Sequence, residues 1–257
     1  MIAIYGGGKI GEALTAGLVA AGHTDVSVVN RRPERSAYFR ETYGVRSSED
    51  PQDAVADVVF IAVKPYVVTE VLRGLAPHLA EGTTVVSLAA GVTLAQLVEA
   101  APQAEVVRVM PNTPMLKGLG MCAIAPAPGV DTAEVESLLR SVGETIVVEE
   151  KDMDAVTALS GSSPAYVYLF AEALVDAGVA RGLSRTVAST LAIQSIRGAG
   201  EMLVGEASPT QLRYDVTSPG GTTAAALRAL EDGGLRSAVF SAVDACADRN
   251  RELGKVD

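Results

Sequence analysis

The sequence predicts an α/β domain built on a doubly wound parallel sheet, followed by an all-helical domain. Three observations carry that expectation. Short apolar runs alternate with helical patterns over residues 1–149. A G-x-G-x-x-G motif lies between the first run and the first helix. After Glu150 no convincing strand pattern follows. The domains are accordingly placed at residues 1–150 and 151–257, and a chain of 257 residues has room for both. The composition is 48% hydrophobic and only 4% aromatic, with no Trp, so the core must be built from Ala, Val and Leu.

The run Ile2–Tyr5 leads into Gly6-Gly7-Gly8-Lys9-Ile10-Gly11, and a helical pattern follows with Leu14, Leu18 and Ala21 on one face. In this strand–turn–helix context Gly6 makes the tight turn and Gly8 admits a pyrophosphate. Gly11 lets the helix pack close to the strand, and Lys9 and Ile10 open that helix. This is the phosphate cradle of a Rossmann-type domain. The next strand, Val26–Val29, ends at Asn30-Arg31-Arg32-Pro33. An NAD site places a carboxylate here to hold the ribose 2′-OH. Asn30 followed by two arginines instead predicts NADP(H), with NAD(H) the weaker alternative. Arg31 is the first candidate for a 2′-phosphate clamp and Arg32 the second. Arginines at a helix N-terminus are electrostatically misplaced unless an anion compensates them.

The strand expected at Asp57–Val63 is apolar from Val58 onward, as a buried parallel strand should be, and gives way at Lys64-Pro65 to a helix expected through Leu79. Thr84–Leu88 is the next strand and runs into Ala89-Ala90-Gly91. The crevice outside these strand ends, lined by Ala62, Val63, Lys64 and Pro65 and by the small residues Ala89, Ala90 and Gly91, has room for a ligand. Thr93-Leu94-Ala95-Gln96 reads as a capping box. Glu105–Met110 is a strand stopped by Pro111-Asn112-Thr113-Pro114, with Asn112 a candidate on the cofactor side. Further strands are expected at 120–125 and 144–149, with a helix over 131–141 between them.

In the helical half, Ser163 is expected as N-cap and Pro164 as first residue of a helix running to about Arg181. A second helix runs from Ser184 to about Val204. Ser208-Pro209-Thr210-Gln211 opens a short third with cap, Pro and capping-box Gln, and a last helix covers about Gly234 to Leu253. Val187, Leu191, Ile193, Ile196 and Leu203 do not share one narrow stripe, which suits helices buried on several sides in a dimer. Val216 to Thr223 joins two of these helices. Gly220 and Gly221 free backbone N–H groups, Ser218, Thr222 and Thr223 bring hydroxyls, and an Ala-rich helix starts at once. The combination suits a carboxylate; an ordinary helix connection with Thr222 as N-cap is the alternative.

Absences narrow the chemistry. A net charge of −10 argues against a nucleic-acid partner. Cys122 and Cys246 form no metal-spaced pair and suit a reducing, cytoplasmic setting. Met1 leads straight into a strand without a signal-peptide pattern, and no run of apolar residues is long enough for a membrane span. Only His23 and His78 are available as histidines, both at helix ends of the first domain, and the second domain carries lysines only at its margins, Lys151 and Lys255. Reduction of a ketone creates an alkoxide that needs such a donor. A protonated imine carries its own electrophilic charge and yields a neutral amine. Hydroxyls without His or Lys therefore fit imine reduction better, with Tyr166, Tyr168 and Tyr214 as remaining donors.

Over essentially its whole length the chain resembles the pyrroline-5-carboxylate reductases. The likeness is carried by Gly6–Gly11, Ala62–Pro65, Ala89–Gly91, Arg108–Pro114, Ser160–Tyr166 and above all Val216–Thr223. The resemblance implies NADPH-dependent reduction of the imine of 1-pyrroline-5-carboxylate to L-proline. It places the nicotinamide near Ala62–Pro65 and Ala89–Gly91, and the substrate carboxylate on Ser218 and the Gly220-Gly221-Thr222 backbone. Thr223 then faces the imine nitrogen as the catalytic hydroxyl. It also implies an interlocked homodimer that assembles further into decamers. Ser163 stands where the family usually carries Gly, and is expected to keep the helix start while narrowing the adjoining pocket. Two other readings compete: a reductase of another imine or a 3-hydroxyacid dehydrogenase, and an NADP(H)-sensing scaffold without turnover. The hydroxyacid enzymes place a Lys on the first long helix of the second domain, where this chain has none.

Overall fold

The computed structural model describes residues 1–254; Lys255 and the rest of the C-terminus lie outside the described residues. The chain forms two compact units. One is Met1–Ser162 together with the stretch from Ala245 onward, and the other is Ser163–Asp244. Relative to the expected division at 150/151, residues 151–162 and the end of the last helix group with the first unit.

The first unit holds one sheet. Its strands are β1 (Ile2–Tyr5), β2 (Val26–Val29), β3 (Arg46–Ser48), β4 (Val58–Ile61), β5 (Thr84–Ser87), β6 (Glu105–Met110), β7 (Gly120–Pro126) and β8 (Gly143–Val147). They stand in the order β3-β2-β1-β4-β5-β6-β7-β8. The first six are mutually parallel, and the order reverses between β1 and β4, the point at which doubly wound sheets bind ligands. β7 pairs antiparallel with β6, and β8 runs with β7, so the sheet is mixed rather than wholly parallel. Only residues 111–119 link β6 to β7, and a parallel return needs a crossover of about a dozen residues or more. β3 is three polar residues long and has no hydrophobic pattern to announce it.

Helices α1 (Lys9–Ala20), α2 (Pro33–Tyr43), α3 (Val68–Leu75), α4 (Leu94–Ala100) and α5 (Ala133–Leu139) follow the expected positions. Alternate strand residues feed two cores. Ile2 and Ile4 join Leu14, Leu18, Phe39 and Leu139 on one face. Ala3 and Tyr5 join Leu72, Leu75 and Leu97 on the other. The helix expected through Leu79 is shorter than its pattern. Tight 3-10 turns at Pro65–Val67 and Ala76–His78 flank α3, because Pro77 cannot donate to the α ladder. The capping box at Thr93 and Gln96 is formed on both sides.

Past β8, α6 (Met153–Val156) passes into a π turn at Thr157–Gly161, closed by Ser162 N–H donating to the Thr157 carbonyl at 2.9 Å. Then α7 (Ser163–Ala180) begins. Ser163 is thus the first helical residue and not the cap before it, since the chain enters α7 already coiled.

In the second unit α7 packs on α8 (Arg185–Leu203), where a Cβ on Gly178 would stand 3.0 Å from that of Ala188. Ser184 caps α8, and Ser208 caps α9 (Pro209–Asp215). The capping box at Ser208 is only half formed, because Gln211 Nε2 donates to the Asp215 carboxylate at 2.7 Å. Helices α10 (Thr222–Asp232) and α11 (Leu235–Leu253) complete the fold, and α11 runs on into the first unit. The core of the second unit is only Val175, Ala188 and Ala192, while Phe240, Leu169 and Ile193 are 72%, 68% and 60% exposed on the single chain.

Candidate active site

The glycine turn sits between β1 and α1. Gly6 has φ +123°, and a Cβ there would lie 2.6 Å from the Ala62 carbonyl oxygen at the end of β4. A Cβ on Gly11 would overlap the Gly6 carbonyl, so helix and strand touch through backbone alone. Around Gly8 the same test meets nothing within 4 Å. Gly8 is the N-cap of α1, and the N–H groups of Lys9, Ile10 and Gly11 lack intrahelical acceptors because the first such bond runs from Glu12 N–H to the Gly8 carbonyl. Open space over free donors at a helix N-terminus fits a pyrophosphate.

After β2 the buried Asn30 bonds to its own loop and to α2. Its Oδ1 accepts from the Arg32 N–H at 3.2 Å and its Nδ2 donates to Ser36 Oγ at 3.2 Å. Arg31 and Arg32 are exposed. The Arg31 charge lies close enough to Tyr5, at the end of β1, to oppose the upward push of burial on that phenol. Arg32 makes only a loose pair with Glu34 at 3.9 Å, so the compensation at the start of α2 is weak.

Ala62 to Pro65 follow β4, and Ala89 to Gly91 follow β5, on the same edge of the sheet as the glycine turn. Ala62 and Val63 are half-buried, Lys64 and Pro65 exposed, and Ala89 buried. Asn112, just past β6, uses its amide inside the fold. Oδ1 accepts from Met121 N–H at 2.9 Å, and Nδ2 donates to the carbonyl and hydroxyl of Ser160 at 3.2 and 3.4 Å. His23 follows α1 and His78 ends a surface turn. Among the described residues no group of His, Cys, Asp or Glu could hold a metal.

In the second unit, Ser218-Pro219-Gly220-Gly221 closes a turn, with Gly221 N–H donating to the Ser218 carbonyl at 3.0 Å. Pro in second place and Gly220 at φ +69° in third suit a type II turn. The N-cap of α10 is Gly221, not Thr222, and no side chain caps it. Thr222 and Thr223 are therefore the first two helical residues, with no intrahelical acceptor for their N–H groups. Ser218 is exposed and Thr223 half-buried.

Residues 150–253 match the family described as "Pyrroline-5-carboxylate reductase dimerisation", and residues 1–91 that described as "NADP oxidoreductase coenzyme F420-dependent". A pyrroline-5-carboxylate reductase of Corynebacterium melassecola is 47% identical, over 99% of this chain and 98% of its own length. The chain belongs to the pyrroline-5-carboxylate reductase family. A solved pyrroline-5-carboxylate reductase from Coxiella burnetii has the same fold with a TM-score of 0.94, at 37% identity and covering 99% of this chain and 98% of that one. A Plasmodium falciparum pyrroline carboxylate reductase solved with NADP bound gives 0.86 at 31% identity, with coverage of 99% and 98%.

Two charged residues that the sequence pattern did not single out make long-range contacts within the first unit. Arg35 donates to the Gly7 carbonyl from Nε at 3.1 Å and Nη2 at 2.9 Å, and Nη2 also reaches Glu12 Oε2 at 2.7 Å. Glu150 Oε1 accepts from Leu94 N–H at 2.6 Å and pairs at 3.3 Å with the buried Arg108. These partners lie far apart in sequence, so no local spacing marks them.

Glu12 gives a pH prediction. Burial, the largest single effect, raises its pKa, but the bonds from Arg35, Tyr38 and Tyr43 together outweigh it and hold the carboxyl below its ordinary 4.5. A depressed folded-state pKa contributes stability in full above the unfolded value and loses it as pH falls through the folded one. Melting temperature should therefore fall on acidification below about pH 4.5, and Glu12→Gln should flatten that limb. Calorimetric scans of both proteins across this range check it; parallel limbs would exclude Glu12 as a contributor.

Proposed function

We infer that the protein is an NADPH-dependent pyrroline-5-carboxylate reductase, which reduces the imine of 1-pyrroline-5-carboxylate to L-proline. The observation that carries the reading is the full-length match to reductases of that name, one of them at 47% identity. Bound NADPH supplies the hydride. The free N–H groups of Gly8, Lys9, Ile10 and Gly11 bind its pyrophosphate, supported by the open space at Gly8. Arg31, with Arg32 beside it, takes the 2′-phosphate, a group that NADH lacks, so NADH binds more weakly. Asn30 shapes that loop. Ala62 to Pro65 and Ala89 to Gly91 line the nicotinamide position with small side chains and backbone. Asn112, its amide already bonded, serves by holding the π turn rather than by touching the cofactor.

Ser218 and the Gly220-Gly221-Thr222 turn hold the substrate carboxylate. What supports this is the Thr222 N–H, without an intrahelical acceptor, beside the exposed Ser218 hydroxyl; the Gly221 N–H is already given to the Ser218 carbonyl, so Gly220 and Gly221 serve by shaping the turn. The Thr223 hydroxyl, which does not cap α10, positions the proton on the imine nitrogen. The product is a neutral amine, so the site needs no oxyanion donor and no His or central Lys. The region matched as a dimerisation family supports self-association. We propose an interlocked homodimer, with a decamer as the larger assembly. The two free thiols, Cys122 buried and Cys246 half-buried, support a cytoplasmic setting, and no helix among the described residues is long and apolar enough to cross a membrane.

Arg31→Ala should weaken NADPH binding by about 1.5–3 kcal/mol and leave NADH nearly unchanged; titration calorimetry with both cofactors reads this, and equal losses would remove the clamp assignment. Thr223→Val should lower turnover while sparing NADPH affinity; unchanged turnover would leave Thr223 without a catalytic part. The activity is tested by NADPH oxidation with 1-pyrroline-5-carboxylate beside its six-membered homologue. Turnover of the five-membered imine is expected to dominate, and preference for the larger ring would move the enzyme to another substrate.

A further inference from the structure

The Gly7 carbonyl receives two donors of one guanidinium, at 3.1 and 2.9 Å, although it belongs to a turn whose neighbours on both sides are glycine. Glycine loses more conformational freedom on ordering than any other residue, so such a turn does not hold one peptide orientation by itself. The peptide between Gly7 and Gly8 is planar and trans, which sets the Gly8 N–H opposite to the Gly7 C=O. A bond that holds the carbonyl toward α2 therefore aims the Gly8 N–H the other way. The reverse orientation would present a carbonyl oxygen, and like charge, to an incoming phosphate.

Arg35 is itself held by an ion pair and by two aromatic rings. Glu12 Oε2 accepts from Nη2 at 2.7 Å, and Glu12 Oε1 is fixed by the hydroxyls of Tyr38 at 2.7 Å and Tyr43 at 3.1 Å. The guanidinium lies 4.6 Å from the Tyr38 ring centre and 5.0 Å from that of Phe39. Phe39 also walls the turn, since a Cβ on Gly7 would come within 2.7 Å of its ring.

We propose that Arg35, braced by Glu12, is a positioning residue that presets the glycine turn for the cofactor pyrophosphate. This rests on the NADP(H) reading above, and it differs in kind from the 2′-phosphate clamp. The pyrophosphate is common to NADPH and NADH, so loss of the brace acts on both alike.

The test is calorimetric titration of NADPH and NADH into the wild type, Arg35→Ala, Arg35→Lys and Glu12→Gln, with steady-state kinetics alongside. Arg35→Ala should weaken both cofactors by a similar factor, roughly tenfold or more given the strength of a hydrogen bond to a charged group. KM for NADPH should rise while kcat at saturation holds. Arg35→Lys should recover part of the affinity, and Glu12→Gln should show a smaller loss of the same kind. A loss confined to NADPH would overturn the proposal, because Arg35 would then be a 2′-phosphate ligand. Unchanged affinity for both, or a fall in kcat alone, would also overturn it. Should Arg35→Ala fail to fold, the other two variants carry the same comparison. Binding is read without turnover, so absence of imine reduction would count against the proposed activity and leave the brace tested.

Discussion

Where α1 crosses β1 there is no room for a side chain. The Gly6 carbonyl occupies the place of a Gly11 Cβ, and the Ala62 carbonyl crowds the place of a Gly6 Cβ. That contact brings the N-terminus of α1 down onto the sheet edge and fixes how near β1 and β4 stand there. The ladder continues the same alignment. Gly6 N–H donates to the Val29 carbonyl, Ala62 N–H to Tyr5 and Leu88 N–H to Ile61, at 2.8, 2.8 and 3.0 Å. The ends of β2, β1, β4 and β5 are thereby level, and the loops that follow them open on one crevice. Any larger residue at position 6 or 11 would push the helix away and separate the donors from that crevice.

The other side of the first unit is assembled from residues distant in sequence. Asn112 joins the start of β7 to the π turn through Ser160, and the end of the Met110 side chain packs against Gly161. Ser162 accepts from the Cys246 thiol at 3.2 Å, and the buried Asn250 donates to Asp154 at 2.7 Å, so the end of α11 lies along α6 and the π turn. A Cβ on Gly254 would come within 2.9 Å of the Gly91 carbonyl. The turn at the end of α11 thus abuts the loop after β5. π turns recur at functional sites because they displace a helix's register locally, and this one is held from both β6 and α11.

How much of this was legible in the sequence depended on whether the cause was local. β1, the glycine turn, the apolar β4 and the capping box at Thr93 each follow from neighbouring residues, and their positions agree with the pattern. β3 was invisible because its pairing with β2, and not its own polarity, makes it a strand. The antiparallel turn to β7 follows from a short link and not from strand composition. The glycines and Arg31, proposed for the cofactor, stand out by spacing, whereas Arg35 and Glu150 bond to partners 28 and 56 residues away. Asn112 was marked by its motif, but only the contacts reveal that its amide is already bonded.

The second unit shows why Ala-rich helices hide their purpose. α7 and α8 come close through Gly178 and Ala188, and small side chains make that approach possible without producing a strong apolar stripe. The consequence is a core of Val175, Ala188 and Ala192, too little to offset the ordering of some eighty residues at about 1–2 kcal/mol each for the backbone alone. The missing burial is present as Leu169, Leu191, Ile193 and Phe240, all left exposed on the single chain. Patches of this kind mark association surfaces, and here the region carrying them matches a dimerisation family. Folding of this unit is then linked to protomer concentration, because a second copy binds the folded helices and not the unfolded chain.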